Sequence, residues 1–262
     1  MIRVVRSELT RLGSPPLLLG GIGLMTFFGL LATVVVFVTA GSGSATLPGT
    51  QNITVAMLEA PDGMFAGLQT FAGMLGIVAL VVWAMSTTTD VSSGVIRLLV
   101  QAEPRRLLLL GGKIVALVVF TCAATLVAIV MVMPMAPGLA RSAGVSTAAW
   151  QPQLLHTMIT GYFHLTLCVL LWGVVGLCIG ILTRSAGISI AIGIGYLLVF
   201  EGVLSMLLGS GQKWLPGAAF RAIASGGSAD MAFTTALLLG TAYAIVALVI
   251  AAITFRRRDI TA

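Results

Sequence analysis

One polar stretch decides how this chain folds: residues 90–113, with the sequence DVSSGVIRLLVQAEPRRLLLLGGK. It separates two apolar runs, and its own apolar residues recur at the spacing of an amphipathic helix. Asp90 then stands at the start of that helix, where the helix dipole favours a carboxylate, and Pro104 ends the helix. The second half leads directly into an apolar run. The stretch therefore predicts a cytoplasmic helix joined to a membrane span, with an ordinary basic loop as the alternative.

The composition indicates that most of this chain contacts lipid. Of the 262 residues, 58% are hydrophobic and 8% are charged, whereas a soluble domain carries roughly 25% charged residues. We therefore expect a single polytopic membrane domain over residues 1–262, without a sizeable soluble domain. The net charge of +6 is explained by basic residues at the cytoplasmic surface, so no nucleic-acid partner is expected.

Six apolar runs are long enough to cross a bilayer, and they predict an all-α polytopic membrane protein. The expected spans are about 16–40, 65–85, 114–133, 156–182, 187–208 and 231–254. Residues 1–14 are expected to form a basic amphipathic helix along the membrane surface. A signal peptide is the alternative for this region, but the apolar run after it is too long for one. Residues 87–113 are the expected coupling segment, and residues 209–230 are expected to form a re-entrant or interfacial outer segment. Gly176 and Gly180 are spaced for close packing of the fourth span.

The distribution of basic residues predicts the orientation. Eleven of the 14 lysines and arginines fall on the side that holds both termini and residues 90–113, and three fall on the other side. Because basic residues concentrate in cytoplasmic loops, both termini are expected in the cytoplasm. The expected location is the plasma membrane of a bacterium.

The spacing within residues 90–113 resembles a known family of membrane proteins. An acid, a glycine four positions later, a proline, an arginine and a Gly-Lys pair are similar to the loop between the second and third spans of type-2 ABC exporter permeases. The corresponding residues are Asp90, Gly94, Arg97, Pro104, Arg106 and Lys113. The sequence departs from the family pattern mildly: Asp90 replaces the more usual glutamate, Val95 replaces a common threonine, and Pro104 comes one place late.

The resemblance implies a transport role that requires partners. In such permeases this loop and the N-terminal helix contact a separate ATPase subunit, present in two copies, which binds ATP and Mg²⁺. A second permease subunit, identical or homologous, completes the pathway. The six matching residues would then couple ATP hydrolysis to alternating access. The cargo would be a hydrophobic or amphipathic compound, such as an antibiotic, peptide or lipid, exported from the cytoplasm or the inner leaflet.

The chain carries no recognisable nucleotide or metal motif of its own. A phosphate loop requires the pattern G-x-x-x-x-G-K-[ST], but Gly112 and Lys113 are followed by Ile114, and Leu107 stands where the first glycine should be. Neither H-E-x-x-H nor another pair of metal ligands occurs. We therefore expect a transport subunit that is not an enzyme, with no catalytic residue, no metal and no cofactor in this chain.

Four residues within the spans are candidates for a cargo pathway or gate: Glu201, His164, Trp172 and Gln69. Glu201 is the one acid inside an apolar run and lies about 21 Å into its span at 1.5 Å per residue. Such a carboxylate should face protein or a water-filled cavity, with His164, Arg221 or Lys213 as its expected partner. A purely structural pairing is the alternative to a cargo contact. Trp172 either packs in the core or lines the pathway.

Two other functions stay open at this point. An ion-coupled carrier or channel would need no ATPase, but it would need buried charges beyond Glu201 along its pathway. A membrane sensor or resistance component without transport activity is the third possibility.

Overall fold

The computed structural model describes residues 2–41, 54–92 and 106–257. The described residues are helical apart from turns and one short hairpin, which confirms the all-α fold class. The helices are α1 Ile2–Leu12, α2 Pro15–Gly41, α3 Val55–Glu59, α4 Ala66–Thr70, α5 Ala72–Ser92, α6 Arg106–Val132, α7 Ala136–Ser142, α8 Leu154–Thr183, α9 Ala186–Gly195, α10 Glu201–Leu208, α11 Pro216–Ala224 and α12 Phe233–Arg257. In the hairpin, β1 Gly227–Ser228 pairs antiparallel with β2 Met231–Ala232.

Six helical stretches are long and apolar enough to cross a membrane, as the sequence predicted. They are Leu17–Ala40, Ala72–Asp90, Leu107–Ser142, Leu154–Thr183, Ala186–Trp214 and Phe233–Arg257. Their burial differs strongly: the second and fourth are 61% and 56% buried, whereas the fifth and sixth are 11% and 17% buried. Helices α5 and α8 therefore form the centre of the bundle. The fifth and sixth stretches expose long rows of apolar side chains, as helices that face lipid do.

The contact between α5 and α8 depends on tryptophans that lie over glycines of the opposite helix. Trp172 of α8 lies against Gly76 of α5, where an added Cβ would come within 2.1 Å of its ring. Trp83 of α5 lies in the same way against Gly173 of α8, where the distance would be 2.6 Å. Further along α8, Gly176 approaches the backbone of α5 so closely that a Cβ would meet the Leu80 carbonyl oxygen at 2.3 Å. Small residues at this interface let two large rings and two backbones pack together.

The second span differs from the prediction at its outer end. The expected range began at Phe65, but residues 63–65 form a 3₁₀ turn and the short helix α4 follows it before α5 begins at Ala72. Gly67 of α4 lies so close to α2 that a Cβ would come within 2.5 Å of the Thr33 backbone. Residues 63–70 therefore pack on α2 before α5 begins.

Helices on both sides extend into the range 87–113, whose role as a coupling segment stays a prediction. The hydroxyl groups of Thr87 and Thr88 donate hydrogen bonds to carbonyls of their own helix, and α5 continues to Ser92. Helix α6 begins at Arg106, eight residues before the expected third span. The prediction for Asp90 was therefore wrong, because Asp90 lies near the C-terminal end of α5 instead of at a helix start. Residues 93–105, which include Gly94, Arg97 and Pro104, lie outside the described residues.

The fifth span is broken, whereas the sequence predicted one helix over 187–208. Helix α9 passes through one π-helical turn, Tyr196–Phe200, before α10 begins at Glu201. A 3₁₀ segment, Gly209–Trp214, and α11 follow on the outer side. The first, fourth and sixth spans agree with the expected ranges within three residues at each end.

The outer segment 209–230 contains a helix packed into the bundle. Phe220 of α11 is fully buried, with its ring 5.0 Å from that of Trp172 and 6.4 Å from that of Tyr243. Pro216 occupies the first turn of α11, where its missing N–H costs nothing. The hairpin then returns the chain into α12. This segment therefore contributes to the core at the outer end of the protein.

Candidate functional site

Among the residues that the structure describes, two groups of ion-paired side chains lie at opposite ends of the bundle. We call the first the inner cluster, which consists of Glu8, Arg11, Asp90 and Lys113. We call the second the outer pair, which consists of Glu201 and Arg221. The inner cluster lies on the side where basic residues concentrate, and the outer pair lies on the opposite side.

Helix α1 reaches the inner cluster because one of its faces packs on the start of α6. Leu12 is 2% exposed and Glu8 is 3% exposed, although Glu8 is an acid. Gly112 of α6 makes this approach possible, since a Cβ at that position would come within 2.6 Å of the Val4 side chain. The amphipathic helix predicted over residues 1–14 is therefore present, but the face that holds Glu8 and Leu12 packs on protein.

The inner cluster is a closed ring of alternating charges. Lys113 Nζ lies 2.8 Å from Glu8 Oε2 and 2.7 Å from Asp90 Oδ2. Arg11 contacts the other oxygen of each acid: Nη1 lies 3.3 Å from Glu8 Oε1, and Nη2 donates to Asp90 Oδ1. Each of the four carboxylate oxygens therefore has one cationic partner, and the formal charges of the ring cancel.

Lys113 uses its ammonium group fully. Besides the two acids, it donates to the hydroxyl and the backbone carbonyl of Ser86, at 3.0 and 3.2 Å. A buried ion pair stabilises a fold only when such additional hydrogen bonds compensate for the lost hydration. The cluster meets that condition, with Glu8, Asp90 and Lys113 each at least nine-tenths buried.

Asp90 and Arg11 stabilise each other's charged forms. A carboxylate near the C-terminal end of a helix is opposed by the helix dipole, so Asp90 requires its two cationic partners. For Arg11, desolvation by burial lowers the pKa, but the hydrogen bond and charge of Asp90, together with the charge of Glu8, raise the pKa of Arg11 overall. The guanidinium therefore stays ionised.

The outer pair has a different construction. Glu201 is the one buried residue between Gly193 and Gly217, all of which lie in a described part of the chain. Its Oε1 lies 3.7 Å from Nη2 of Arg221, which is too long for a hydrogen bond. No side chain of the described residues forms a hydrogen bond with either carboxylate oxygen of Glu201, and the groups that face the carboxylate are the backbone N–H groups of Gly217 and Ala218 at the start of α11.

The carboxylate of Glu201 fits against the start of α11. An added Cβ at Gly217 would come within 2.1 Å of Oε2 and 2.2 Å of Oε1, so only glycine permits this placement. The positive end of the α11 dipole stabilises a nearby negative charge. A π turn lies directly before Glu201 and also affects its position. Such turns change which side chains of a helix face inward and are frequent at functional sites.

A cavity of 640 Å³ with polar, charged and apolar lining residues opens beside the outer pair. One wall comes from residues 57–70 and carries Asp62 and Gln69. The other wall comes from residues 212–231 and carries Lys213, Arg221 and Asp230. Arg221 has half of its side chain exposed, whereas the side chain of Glu201 is 7% exposed. Arg221 therefore separates the buried carboxylate from the cavity.

The four candidate pathway residues lie in different environments. Glu201 had three predicted partners, and Arg221 is the one within ion-pair distance. Gln69 lines the cavity. Trp172 is 1% exposed and packs between helices. Its position therefore agrees with a packing role, which was one of the two alternatives for this residue. His164 is half-buried, with its ring 4.6 Å from that of Phe233, and does not reach Glu201.

The candidate coupling residues are only partly described. Asp90 and Lys113 are buried in the inner cluster, and Arg106 begins α6. Sequence reasoning missed Glu8, although a signal was available. Glu8 is an acid in a helix rich in arginine, and it lies on the same face as Val4 and Leu12, at spacings of four residues.

The comparisons with known proteins place the chain in a family. No curated protein matches the sequence. One family model, described as "Protein of unknown function (DUF2705)", matches residues 25–261. The matched range includes the outer pair, together with Asp90 and Lys113, but not α1. That description names no transport activity, so the likeness to type-2 exporter permeases depends on the residues alone. Because the match covers most of the chain, this multi-pass membrane protein belongs to the DUF2705 family.

Proposed function

We propose that this protein is the membrane-spanning subunit of an ATP-driven exporter. The observation that carries the proposal is the inner cluster, because it ties both ends of the cytoplasmic segment 93–105 to the same surface helix. Asp90 lies three residues before that segment and Lys113 lies eight residues after it, and both bind Glu8 or Arg11 of α1. A partner that pushed on this segment or on α1 would therefore move α5 and α6 together.

The position of α5 favours transmission of such a push into the bundle. Helix α5 packs along α8 through the paired tryptophans and glycines, and Trp83 also donates a hydrogen bond of 2.9 Å to Thr121 of α6. Packed helices move as rigid units because their interfaces do not deform continuously. Movement at the cytoplasmic end would therefore tilt these helices relative to the less buried α9, α10 and α12.

The energy source is a separate ATPase in this proposal, since the sequence lacks a phosphate loop. Two copies of that ATPase, with ATP and Mg²⁺, would act on two permease subunits, identical or homologous. The cargo is a hydrophobic or amphipathic compound such as an antibiotic, peptide or lipid. It would leave from the cytoplasm or the inner leaflet of a bacterial plasma membrane by alternating access, with both termini of this chain in the cytoplasm.

The experiment is an uncoupling test in cells that produce this protein together with the proposed partner ATPase. Arg97→Glu and Val95→Pro change the segment that the cluster anchors, and Arg141→Glu is a matched change on the outer side. We expect the first two variants to insert normally and retain ATP hydrolysis, but to lose protection against amphipathic antibiotics and peptides. Unchanged protection in both variants would show that residues 93–105 are only a loop.

One observation favours a second function, an ion-coupled carrier without an ATPase. Glu201 is a buried carboxylate whose nearest cation lies 3.7 Å away, and buried acids within spans mark ion pathways in membrane proteins. Transport by the purified chain in liposomes, driven by an ion gradient and without ATP, would select this function over the first.

A further inference from the structure

We propose that the cavity beside the outer pair is an extracytoplasmic binding site for a small zwitterionic ligand of peptide-like chemistry. Its carboxylate would bind Arg221, and its ammonium group would bind the acids Asp62 and Asp230. Ligand binding at this site does not depend on how transport is driven, so its test is independent of the test of the proposed function.

The first argument is the unused capacity of Arg221. A guanidinium offers five N–H donors in a planar fork that matches a carboxylate. Among the described residues it donates no hydrogen bond, and its nearest acid, Glu201, remains at 3.7 Å. Half of its side chain is open to the cavity. A ligand carboxylate could therefore form the bidentate contact that Glu201 does not make.

The second argument is the role of Glu201 behind this arginine. Its carboxylate is held by burial and by the close fit against Gly217, so it cannot move far toward Arg221. It limits where the guanidinium lies without consuming its donors. We therefore assign Glu201 as the positioning residue of the site and Arg221 as the contact residue.

The third argument is the charge pattern of the cavity walls. Asp62 and Asp230 have no ion pair among the described residues, and Lys213 has only the Trp214 ring, at 5.9 Å. The wall formed by residues 57–70 carries one charge, the acid Asp62, whereas both cations belong to the opposite wall. A ligand with one charge of each sign complements this arrangement better than an anion or a cation alone.

The size and remaining lining of the cavity agree with such a ligand. The volume of 640 Å³ falls within the range of about 300–1,000 Å³ that small-molecule sites occupy. Gln69 and Gln212 supply amide groups, and Met57 and Met231 supply apolar surface. Amides and thioethers fit the backbone and side chains of a short peptide.

The test uses the full chain in detergent or nanodiscs and four probes: trialanine, its N-acetyl derivative, its C-terminal amide and the doubly blocked peptide. Isothermal titration calorimetry measures each affinity. We expect trialanine to bind, each singly blocked peptide to bind about tenfold more weakly, and the doubly blocked peptide to bind more weakly still, as expected for loss of charge-assisted hydrogen bonds. Equal affinities for all four peptides, or no binding of trialanine, would overturn the proposal.

Substitutions then test which charged residues bind each end of the peptide. Arg221→Gln should weaken trialanine binding by roughly ten- to hundredfold and abolish the difference between trialanine and its amide. Asp62→Asn with Asp230→Asn should abolish the difference between trialanine and its N-acetyl derivative. Arg141→Gln, an exposed cation on the same side but outside the cavity, should change nothing. If Arg221→Gln does not fold, Arg221→Lys keeps the charge without the fork and should still weaken binding. Wild-type affinity in either Arg221 variant would overturn the assignment.

Glu201→Gln tests the positioning role. A merely structural Glu201 would alter stability and leave the peptide preferences intact. A positioning Glu201 should, when neutralised, reduce the discrimination between trialanine and its amide while the effect of the N-terminal acetyl group stays the same. Unchanged discrimination in this variant would remove Glu201 from the site.

Discussion

The inner cluster and the outer pair both bury a glutamate beside a cation, yet they differ in every other respect. At the inner cluster each carboxylate oxygen has a cationic partner within 3.3 Å. At the outer pair the nearest cationic nitrogen lies 3.7 Å away, and no side chain of the described residues forms a hydrogen bond with Glu201. A fully satisfied ring fixes its helices in one arrangement, whereas the half-exposed guanidinium of Arg221 beside the cavity keeps donors that a ligand can use. We infer that the first site holds helices together and that the second is free to respond to a ligand.

The largest expected effect comes from removing the cation at the centre of the ring. Lys113→Met leaves Glu8 and Asp90 buried with only the half-exposed Arg11 between them, and should destabilise the protein by about 3–5 kcal/mol. Unfolding by SDS titration in mixed micelles measures the change. Lys213→Met, which removes the other lysine of the chain at a partly exposed position, should lie within about 0.5 kcal/mol of wild type. Similar losses in both variants would contradict the cluster.

The second prediction compares the two buried glutamates directly. Glu8→Gln breaks an ion pair with Lys113 at 2.8 Å and should lower the free energy of unfolding by about 2 kcal/mol. Glu201→Gln removes a charge whose nearest cation remains at 3.7 Å, so it should lower the free energy of unfolding by less than about 1 kcal/mol or raise it. The same titration checks both variants, and a larger loss at Glu201 than at Glu8 would reverse the comparison.

The third prediction concerns the contact that brings α1 to the cluster. In Gly112→Val the new side chain would collide with Val4, whose Cγ1 lies within 2.6 Å of the Cβ position, and stability should fall by about 1.5 kcal/mol. Gly111→Val is the matched control in the same helical turn, because nothing lies within 4 Å of a Cβ there. Faster proteolysis or hydrogen exchange of α1 should accompany the first change only. Equal protection of α1 in both variants would show that α1 does not depend on this approach.

The smallest effect is expected at the edge of the ring. Arg11 has 36% of its side chain exposed, so solvent screens its pairing with Glu8 and Asp90. Arg11→Gln should lower the free energy of unfolding by less than about 1 kcal/mol. Arg6→Gln, at an exposed arginine of the same helix, is the control and should cause no measurable change. A cost as large as that of Lys113→Met would mean that Arg11, and not Lys113, organises the cluster.

Hydropathy made much of the fold predictable. The six spans and the close packing at Gly176 and Gly180 follow from runs of apolar and small residues, and the structure confirms both. Glu201 could be identified because an acid within an apolar run requires an explanation. Its partner could be narrowed to three residues, but only tertiary structure distinguishes Arg221 from the other two.

The features that sequence could not predict depend on contacts between distant residues or on subtle backbone changes. The ion pair between Glu8 and Lys113 joins residues that are 105 positions apart, and no local pattern specifies it. The sequence predicts a helix start at Asp90 because polar residues follow the apolar run that ends at residue 85. In the structure the hydroxyls of Thr87 and Thr88 donate to carbonyls of their own helix, so α5 continues past Asp90. The π turn before Glu201 left no signal in the periodicity.

The central claim, a permease moved by a separate ATPase through α1 and residues 93–105, can be tested most directly by native mass spectrometry. The measurement is the mass of the intact complex released from the membranes in which the protein is made, followed by dissociation of its subunits. We predict two permease subunits, at least one of them this chain, together with two copies of a subunit that carries a complete phosphate loop. Loss of those ATPase copies in Arg97→Glu, but not in Arg141→Glu, would place the contact on the cytoplasmic segment. A complex that contains this chain without any phosphate-loop subunit would contradict the claim.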